Sequence, residues 1–247
     1  MLTEEYRKMV EVEDVMWYYR ALHTHVTDAL ASRVSATAAV LDAGCGTGGL
    51  LRRWQEVQPG WRLTGLDFSP VACEFARTRT MAEIVEGSIM QLPFDAERFD
   101  AIVSCDVVCQ VNQPLVALRE IARCLRPGGV VVLTMPAYAW MYSYHDRQVG
   151  NLRRYSRGEV FSALQNAGLS VARGTYWNTA LFPLAVLRRK IFPGAETTSD
   201  VHLFPPPVEA LFNRLTDLER AWLRAGARLP FGNSVLAVAV KPAAHGR

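Results

Sequence analysis

Asp42, Gly44, Cys45, Gly46, Gly48 and Gly49 fall within a single short stretch, Val40-Leu41-Asp42-Ala43-Gly44-Cys45-Gly46-Thr47-Gly48-Gly49. It reads as an apolar strand ending in a carboxylate, then a glycine-dense turn, then a helix starting near Leu50. Glycines carry no Cβ, so they take φ > 0 and let a ligand approach the backbone. The helix that follows turns its free N–H groups toward the same spot. Such a turn suits a nucleotide-like ligand, and two spacings fit it. Gly44, Gly46 and Gly49 satisfy G-x-G-x-x-G, which implies a pyrophosphate on the helix N-terminus. Asp42, Gly44, Gly46 and Gly48 satisfy D-x-G-x-G-x-G. A carboxylate at Asp42 would repel a pyrophosphate and suits an ammonium group instead. The structural alternative is a tight turn with no ligand.

Other residues could complete the chemistry. Asp67 ends the second expected strand, roughly 20 residues past the turn, where a nucleoside-binding fold places a carboxylate for ribose hydroxyls. Its alternative is a solvated loop Asp before Ser69-Pro70. Phe68 could pack on a flat ring or sit in the core. Asp106, with Cys105, lies at the carboxyl end of a fourth strand, at the mouth where open parallel sheets bind ligands. Asp100, ahead of that strand, reads as structural. His145 has an unperturbed pKa near neutrality and is a candidate base, oriented by Asp146. The five cysteines, Cys45, Cys73, Cys105, Cys109 and Cys124, form no C-x-x-C pair and no zinc spacing with histidine, so free thiols and no metal are expected.

These groups need elements that bring strand ends to one edge. The chain has 247 residues, 50% of them hydrophobic, enough to bury one substantial core. Residues 2–34 read as helical from Val10, Val15, Tyr18, Leu22, Val26 and Leu30. Strands are predicted at 38–43, 61–67, 82–86, 99–105, 130–136, 169–176 and 234–240. Helices are predicted at 50–57, at 70–79 with Ser69 as N-cap and Pro70 first, and at 115–125 before Pro127-Gly128-Gly129. Another is capped by Ser156 with Glu159 in a capping box. This alternation predicts a parallel, doubly wound α/β sheet. Residues 178–232 are too long for a hairpin loop and read as an insertion on the same domain, with helical stretches at 181–191 and 208–225. A net charge of +3 implies no nucleic-acid footprint. Without an N-terminal apolar segment or an apolar run of about 18 residues, neither export nor a membrane span is expected, which points to the cytoplasm.

As a set, the D-x-G-x-G-x-G turn, Asp67, the strand ending at Asp106 and Leu125-Arg126-Pro127-Gly128-Gly129 resemble the class I S-adenosylmethionine-dependent methyltransferases. The resemblance covers roughly Ala38 to Pro136, with Asn233–Pro242 fitting the last strand. It implies a Rossmann-like sheet of about seven strands with the last one antiparallel. It also implies an N-terminal helical cap over 1–37, a cofactor-binding core over 38–177, a helical lid over 178–232, and a last strand and tail over 233–247. S-adenosylmethionine would then be held by Asp42, Gly44, Cys45, Gly46 and Gly48, with Asp67 on the ribose, Phe68, Ser88 and Ile89 at the adenine, and Cys105 and Asp106 along the methionine. Ser88 stands where the family commonly has Asp, and its hydroxyl accepts more weakly.

Two stretches resemble a bacterial subgroup of that family. Val12-Glu13-Asp14-Val15-Met16-Trp17-Tyr18-Tyr19-Arg20 is similar to its E-D-x-x-W-W/Y-x-x-R helix. That likeness would fold Trp17 and Tyr18 over the cofactor mouth and set Arg20 on the methionine carboxylate; plain core packing is the alternative. His145-Asp146-Arg147-Gln148-Val149-Gly150-Asn151-Leu152-Arg153-Arg154-Tyr155 is similar to H-D-x-x-x-G-H-x-R-R-Y, with Asn151 at the second His, and an amide is no base at neutral pH. His145 and Asp146 become the catalytic candidates, and Tyr18, Trp140, Arg154 and Tyr155 the substrate contacts. Phe182, Trp177 and Tyr142 are further wall candidates. The stretch Leu181–Lys190 reads as a lid or oligomer contact ahead of a membrane-surface helix.

The implied function is methyl transfer to O, N or C of a small molecule, bulky or partly hydrophobic, by a monomer or homodimer. Two other readings stay open. One is a non-catalytic adenosylmethionine-binding partner protein, kept alive by Ser88 and Asn151. The other is an NAD(P)-dependent oxidoreductase, supported by the dinucleotide spacing and opposed by Asp42. An aminopropyl transferase would need acidic residues clustered after the fourth strand.

Overall fold

The computed structural model describes residues 3–192 and 199–243. Leu2 of the expected N-terminal helix, residues 193–198 of the insertion and residues 244–247 of the tail lie outside the described residues.

Seven strands form one sheet: β1 (Ala39–Ala43), β2 (Arg62–Asp67), β3 (Glu83–Glu86), β4 (Phe99–Cys105), β5 (Leu125–Pro136), β6 (Ser170–Trp177) and β7 (Ser234–Val240), in the order β3-β2-β1-β4-β5-β7-β6. The first five pair in parallel, and β7 runs antiparallel between β5 and β6. This is the expected Rossmann-like order with its last strand reversed. The chain winds outward from β1 to β3 and then returns beside β1 as β4. That reversal is a topological switch point, where the carboxyl ends of the strands leave a crevice. Asp42, Asp67, Ser88 and Asp106 all stand at or just beyond those ends.

Alternation along each strand divides the core. Val40, Ala101, Val103, Val130 and Val132 pack toward α2 (Trp17–Ala31) and α3 (Gly49–Val57). Leu41, Ile102, Val131 and Leu133 pack toward α5 (Pro114–Cys124) and α7 (Arg157–Asn166) on the other face. The predicted caps form: the Ser69 hydroxyl accepts from the Ala72 N–H ahead of α4 (Pro70–Arg79), and Ser156 and Glu159 close a capping box on α7.

Three local expectations are corrected. The N-terminal segment is two helices, α1 (Thr3–Val12) and α2, broken at residues 13–16. The break lets Glu13 and Asp14 hold Arg79 at 2.7 and 2.9 Å. The stretch after Ser143, expected as a loop, begins with a short helix, α6 (Tyr144–Val149), because Ser143 and Asp146 form a capping box. The first helical stretch of the insertion is α8 (Phe182–Val186) running into a π-helical turn, Leu187–Ile191.

The second stretch is α9 (Pro206–Arg224), which lies along α2. Phe212 meets Trp17 edge-on at 5.4 Å, and Arg220 donates to both oxygens of Asp28 at 2.6 and 2.9 Å. Glu219 accepts the N–H groups of Asn178 and Thr179 where β6 ends. These contacts fix the insertion over the switch point. Among the described residues no helix is long and apolar enough to cross a membrane.

Candidate cofactor and acceptor site

The glycine turn is built by backbone geometry that side chains resist. Gly44, Gly46 and Gly48 have φ of 95°, 53° and 86°, and a Cβ on Gly44 would lie 2.2 Å from Val107 Cγ2. The N–H groups of Gly44 and Cys45 both bond the Leu66 carbonyl, at 2.7 and 2.9 Å, tying the turn to β2. Asp67 accepts from the Gly46 N–H and the Ser69 N–H, each at 2.9 Å, and from the Tyr6 hydroxyl at 3.4 Å. A carboxylate offers about four lone-pair sites, so this one keeps acceptor capacity for ligand hydroxyls. Burial pushes the Asp67 carboxyl up, and the two N–H donors oppose it.

Asp42 differs. It is 2% exposed, and among the described residues its side chain has no hydrogen-bond partner. Burial, with Glu13 and Asp67 nearby, pushes its pKa up to about 8. A buried carboxyl without a donor that faces a cavity suits a cationic hydrogen-bonding group. That is the fit an S-adenosylmethionine ammonium requires.

Glu13, which sequence reasoning left without a role, closes the back of the turn. Its carboxylate accepts from the Thr47 hydroxyl at 2.5 Å and from Arg79 at 2.7 Å. A Cβ on Gly49 would lie 2.1 Å from its carboxyl carbon. Gly49→Ala is therefore expected to cost about 1–3 kcal/mol through overpacking, read as a lowered urea midpoint; an unchanged midpoint would contradict this packing.

One cavity of about 540 Å³ spans the carboxyl edge of the sheet. It gathers Asp42, Gly44, Cys45, Gly46, Asp67, Phe68, Ser88, Ile89, Cys105, Asp106, Trp17, Tyr18, His145 and Arg154. Asp106 leaves β4 with φ of 57°, a left-handed turn that Asp tolerates better than most residues. It accepts from the Tyr18 hydroxyl at 2.9 Å and from Thr134 at 3.1 Å. Tyr18 in turn stacks on Trp177 at 5.4 Å, joining the N-terminal helices to the site.

Other expected site residues are elsewhere. Gly48 faces α4, where a Cβ would meet Ala76 at 3.1 Å. Arg20 points to α9, bonding Asn213 and Asp217 at 3.0 Å each; Tyr19 and His23 of the same helix line the cavity instead. Trp140 is 54% exposed and stacks on Tyr138. Tyr155 is buried in the core shared with α5 and α7, and Trp177, Phe182 and Tyr142 do not line the cavity.

Asp146 is enclosed. Its oxygens accept from Arg154 Nε at 2.8 and 3.0 Å, Asn151 Nδ2 at 3.0 Å and the Ser143 N–H at 2.9 Å. Burial alone would raise its carboxyl, but Arg154 and Asn151 outweigh it and hold it below the usual range. It is a structural anchor for the segment after β5. Asn151 shares that role, donating to Asp146 and accepting from the Cys109 thiol at 3.2 Å.

His145 reaches the cavity but is committed. Its Nδ1 accepts from the Asp200 N–H at 3.1 Å, so the neutral ring carries its proton on Nε2. Burial, reinforced by Arg189, pushes its pKa down to about 3. Such a ring donates; it has no free lone pair for a substrate proton. The cavity also contains Arg188, Arg189 and Asp200, which sequence reasoning missed. The adjacent arginines in the insertion were their only signal.

Residues 41–133 match the methyltransferase-domain family model. A demethylmenaquinone methyltransferase of Staphylococcus aureus is 34% identical over 120 residues, 44% of this chain and 50% of that protein. The chain thus spans about half the length of the curated relatives it matches. The domain match falls on the glycine turn, Asp67 and β4, the segments that build the cavity. The matched residues therefore carry a methyltransferase domain of the class I S-adenosylmethionine-dependent type.

Solved structures extend the likeness of this methyltransferase fold beyond the matched segment. A chain from the complex of the Haloferax volcanii Trm112 methyltransferase activator with a methyltransferase superposes with a TM-score of 0.61 at 28% identity, covering 90% of this chain and 91% of that one. The geranyl diphosphate C-methyltransferase of Streptomyces coelicolor A3(2) shares the fold at 18% identity and a TM-score of 0.62, covering 90% and 79%. S-adenosylmethionine is the cofactor these likenesses imply.

Proposed function

We propose that the protein transfers a methyl group from S-adenosylmethionine to a bulky, partly apolar small molecule. The observation that carries this reading is a single cavity running from the glycine turn and Asp67 to an apolar wall that includes Met16, Trp17, Leu181 and Phe212. When bound, the cofactor supplies a methyl group already activated on a sulfonium. Asp42 takes the ammonium, Asp67 the ribose hydroxyls, and Ser88 with Ile89 the adenine edge, while Gly44, Cys45 and Gly46 provide close backbone approach. Cys105, Asp106 and Tyr18 line the passage to the acceptor. In this reading 1–37 and 178–232 act as cap and lid of a single domain, excluding water and aligning the reactants, which supplies much of the rate. The likeness to a demethylmenaquinone methyltransferase supports a small-molecule acceptor.

The test is consumption of adenosylmethionine by the full chain across a panel of amphiphilic phenols, carboxylic acids and amines. Turnover with at least one class is expected; cofactor binding without turnover across the panel would leave the non-catalytic reading. The commitment of His145 Nδ1 to the Asp200 N–H argues against a general-base role. His145→Gln is expected to change kcat less than 10-fold, against the roughly 10²–10⁴ lost with a true base, and to leave the kcat/KM pH profile in place. A larger loss with a displaced profile would restore His145 to proton transfer.

A further inference from the structure

The two ends of the cavity are lined by different groups. Asp42 and Asp67 lie at the glycine turn, whereas Arg154, Arg188 and Arg189 line the end beneath the insertion. Arg154 and Arg189 are buried, 5% and 8% exposed.

Their bonding leaves donors over. Arg154 places Nε on Asp146 and Nη1 on the Ala137 carbonyl at 3.1 Å; among the described residues its Nη2 has no partner. Arg189 puts Nε and Nη2 on one oxygen of Asp200, and among the described residues its Nη1 has only a 3.5 Å contact with Asn233. Arg188 shares the same Asp200 through the other oxygen. Among the described residues the buried Arg154 and Arg189 and the part-exposed Arg188 share two carboxylates, Asp146 and Asp200, both already engaged. His145 lines the same cavity, and with Nδ1 accepting from the Asp200 N–H its neutral ring carries the proton on Nε2. Asp106 also acts on Arg154, but its own oxygens are taken by Tyr18 and Thr134. Burial, reinforced by Arg189, lowers the Arg154 pKa. Unmet N–H donors of buried guanidinium groups are costly unless a ligand meets them, and guanidinium forks are suited to carboxylate and phosphate oxygens.

We propose that Arg154, Arg189 and His145 form an oxyanion subsite, so that the acceptor is an amphiphilic organic anion carrying a carboxylate or phosphate. Its apolar body lies along Leu181, Leu184 and Phe204, beside the subsite. The assignment rests on the reading of the cavity as a methyl-acceptor site. It also explains how the site works without a protein base, because the paired cations favour the ionised form of an acidic group held there.

The experiment is calorimetric titration of decanoate, decyl phosphate and decanol into the full chain, with and without adenosylhomocysteine. One of the two anions is expected to bind about 10- to 100-fold tighter than decanol, and which one leads separates carboxylate from phosphate. Inorganic phosphate should compete with it. Arg189→Gln should abolish the preference for the anion while leaving adenosylhomocysteine affinity unchanged, which also reports intact folding. Equal affinity for decanol and both anions, no anion binding up to the solubility limit, or a preference that survives Arg189→Gln in a protein that binds adenosylhomocysteine would each overturn the subsite. Loss of adenosylhomocysteine binding by the unaltered chain would instead strike at the methyl-transfer reading.

Discussion

Asp42→Asn is expected to weaken adenosylmethionine binding by about 10- to 100-fold and, in the same variant, to stabilise the free protein. The first effect follows from removing the carboxylate that faces the ammonium, since a charge-assisted hydrogen bond in a buried site contributes about 1.5–3 kcal/mol. The second follows from linkage. The Asp42 carboxyl sits at about 8 in the folded chain, against 3.8 for the ordinary group. Between those values the folded state holds a proton that the unfolded state has lost. Stability of the free protein therefore falls as pH rises through this window. Linkage between these two values sets an upper bound of about 4 kcal/mol at pH 7; the buried amide keeps a desolvation cost of its own, so the variant should gain on the order of 1–2 kcal/mol, a rise of roughly 2–8 °C in melting temperature. Melting curves at pH 5 and pH 8, paired with calorimetry, check both parts. A variant that melts lower and binds as before would contradict this role for Asp42.

Asp146→Asn should do the opposite, although it too replaces a buried carboxyl. Asp146 is fully enclosed and its oxygens are saturated by Arg154, Asn151 and Ser143. Removing its charge leaves the Arg154 guanidinium buried and unpaired, a change that typically costs about 3–5 kcal/mol. The acid dependence agrees in sign. A carboxyl held below its usual range contributes stability that is present at neutral pH and is lost as pH falls through its folded pKa. Urea unfolding at neutral pH measures the cost. A loss under 1 kcal/mol accompanied by a collapse of turnover would return Asp146 to a catalytic role.

The contrast between these two aspartates shows what the sequence carries. The strands, their order of appearance and the glycine turn were legible because period-two apolar runs and glycine spacing are local signals. Asp42 and Asp67 were legible for the same reason, since each ends a recognisable strand. The second half of the site was not. His145 and Asp146 are adjacent in sequence, yet the capping box at Ser143 turns one side chain toward the cavity and the other into the protein. Arg20 shares a helix with Tyr18, but two residues rotate it to the far side, where Asp217 of α9 takes it. Arg189 and Asp200 line the same cavity as Arg154 because α9 and α2 hold the insertion over the sheet. Such long-range pairings leave no periodic trace.

The central claim, that the glycine turn and Asp42 hold S-adenosylmethionine, is tested most directly by calorimetric titration of the full chain with adenosylhomocysteine and, separately, with NADH. Adenosylhomocysteine should bind with one site per chain, and Asp42→Asn should weaken it, while NADH gives no heat of binding. Saturable binding of NADH with none of adenosylhomocysteine would contradict the account.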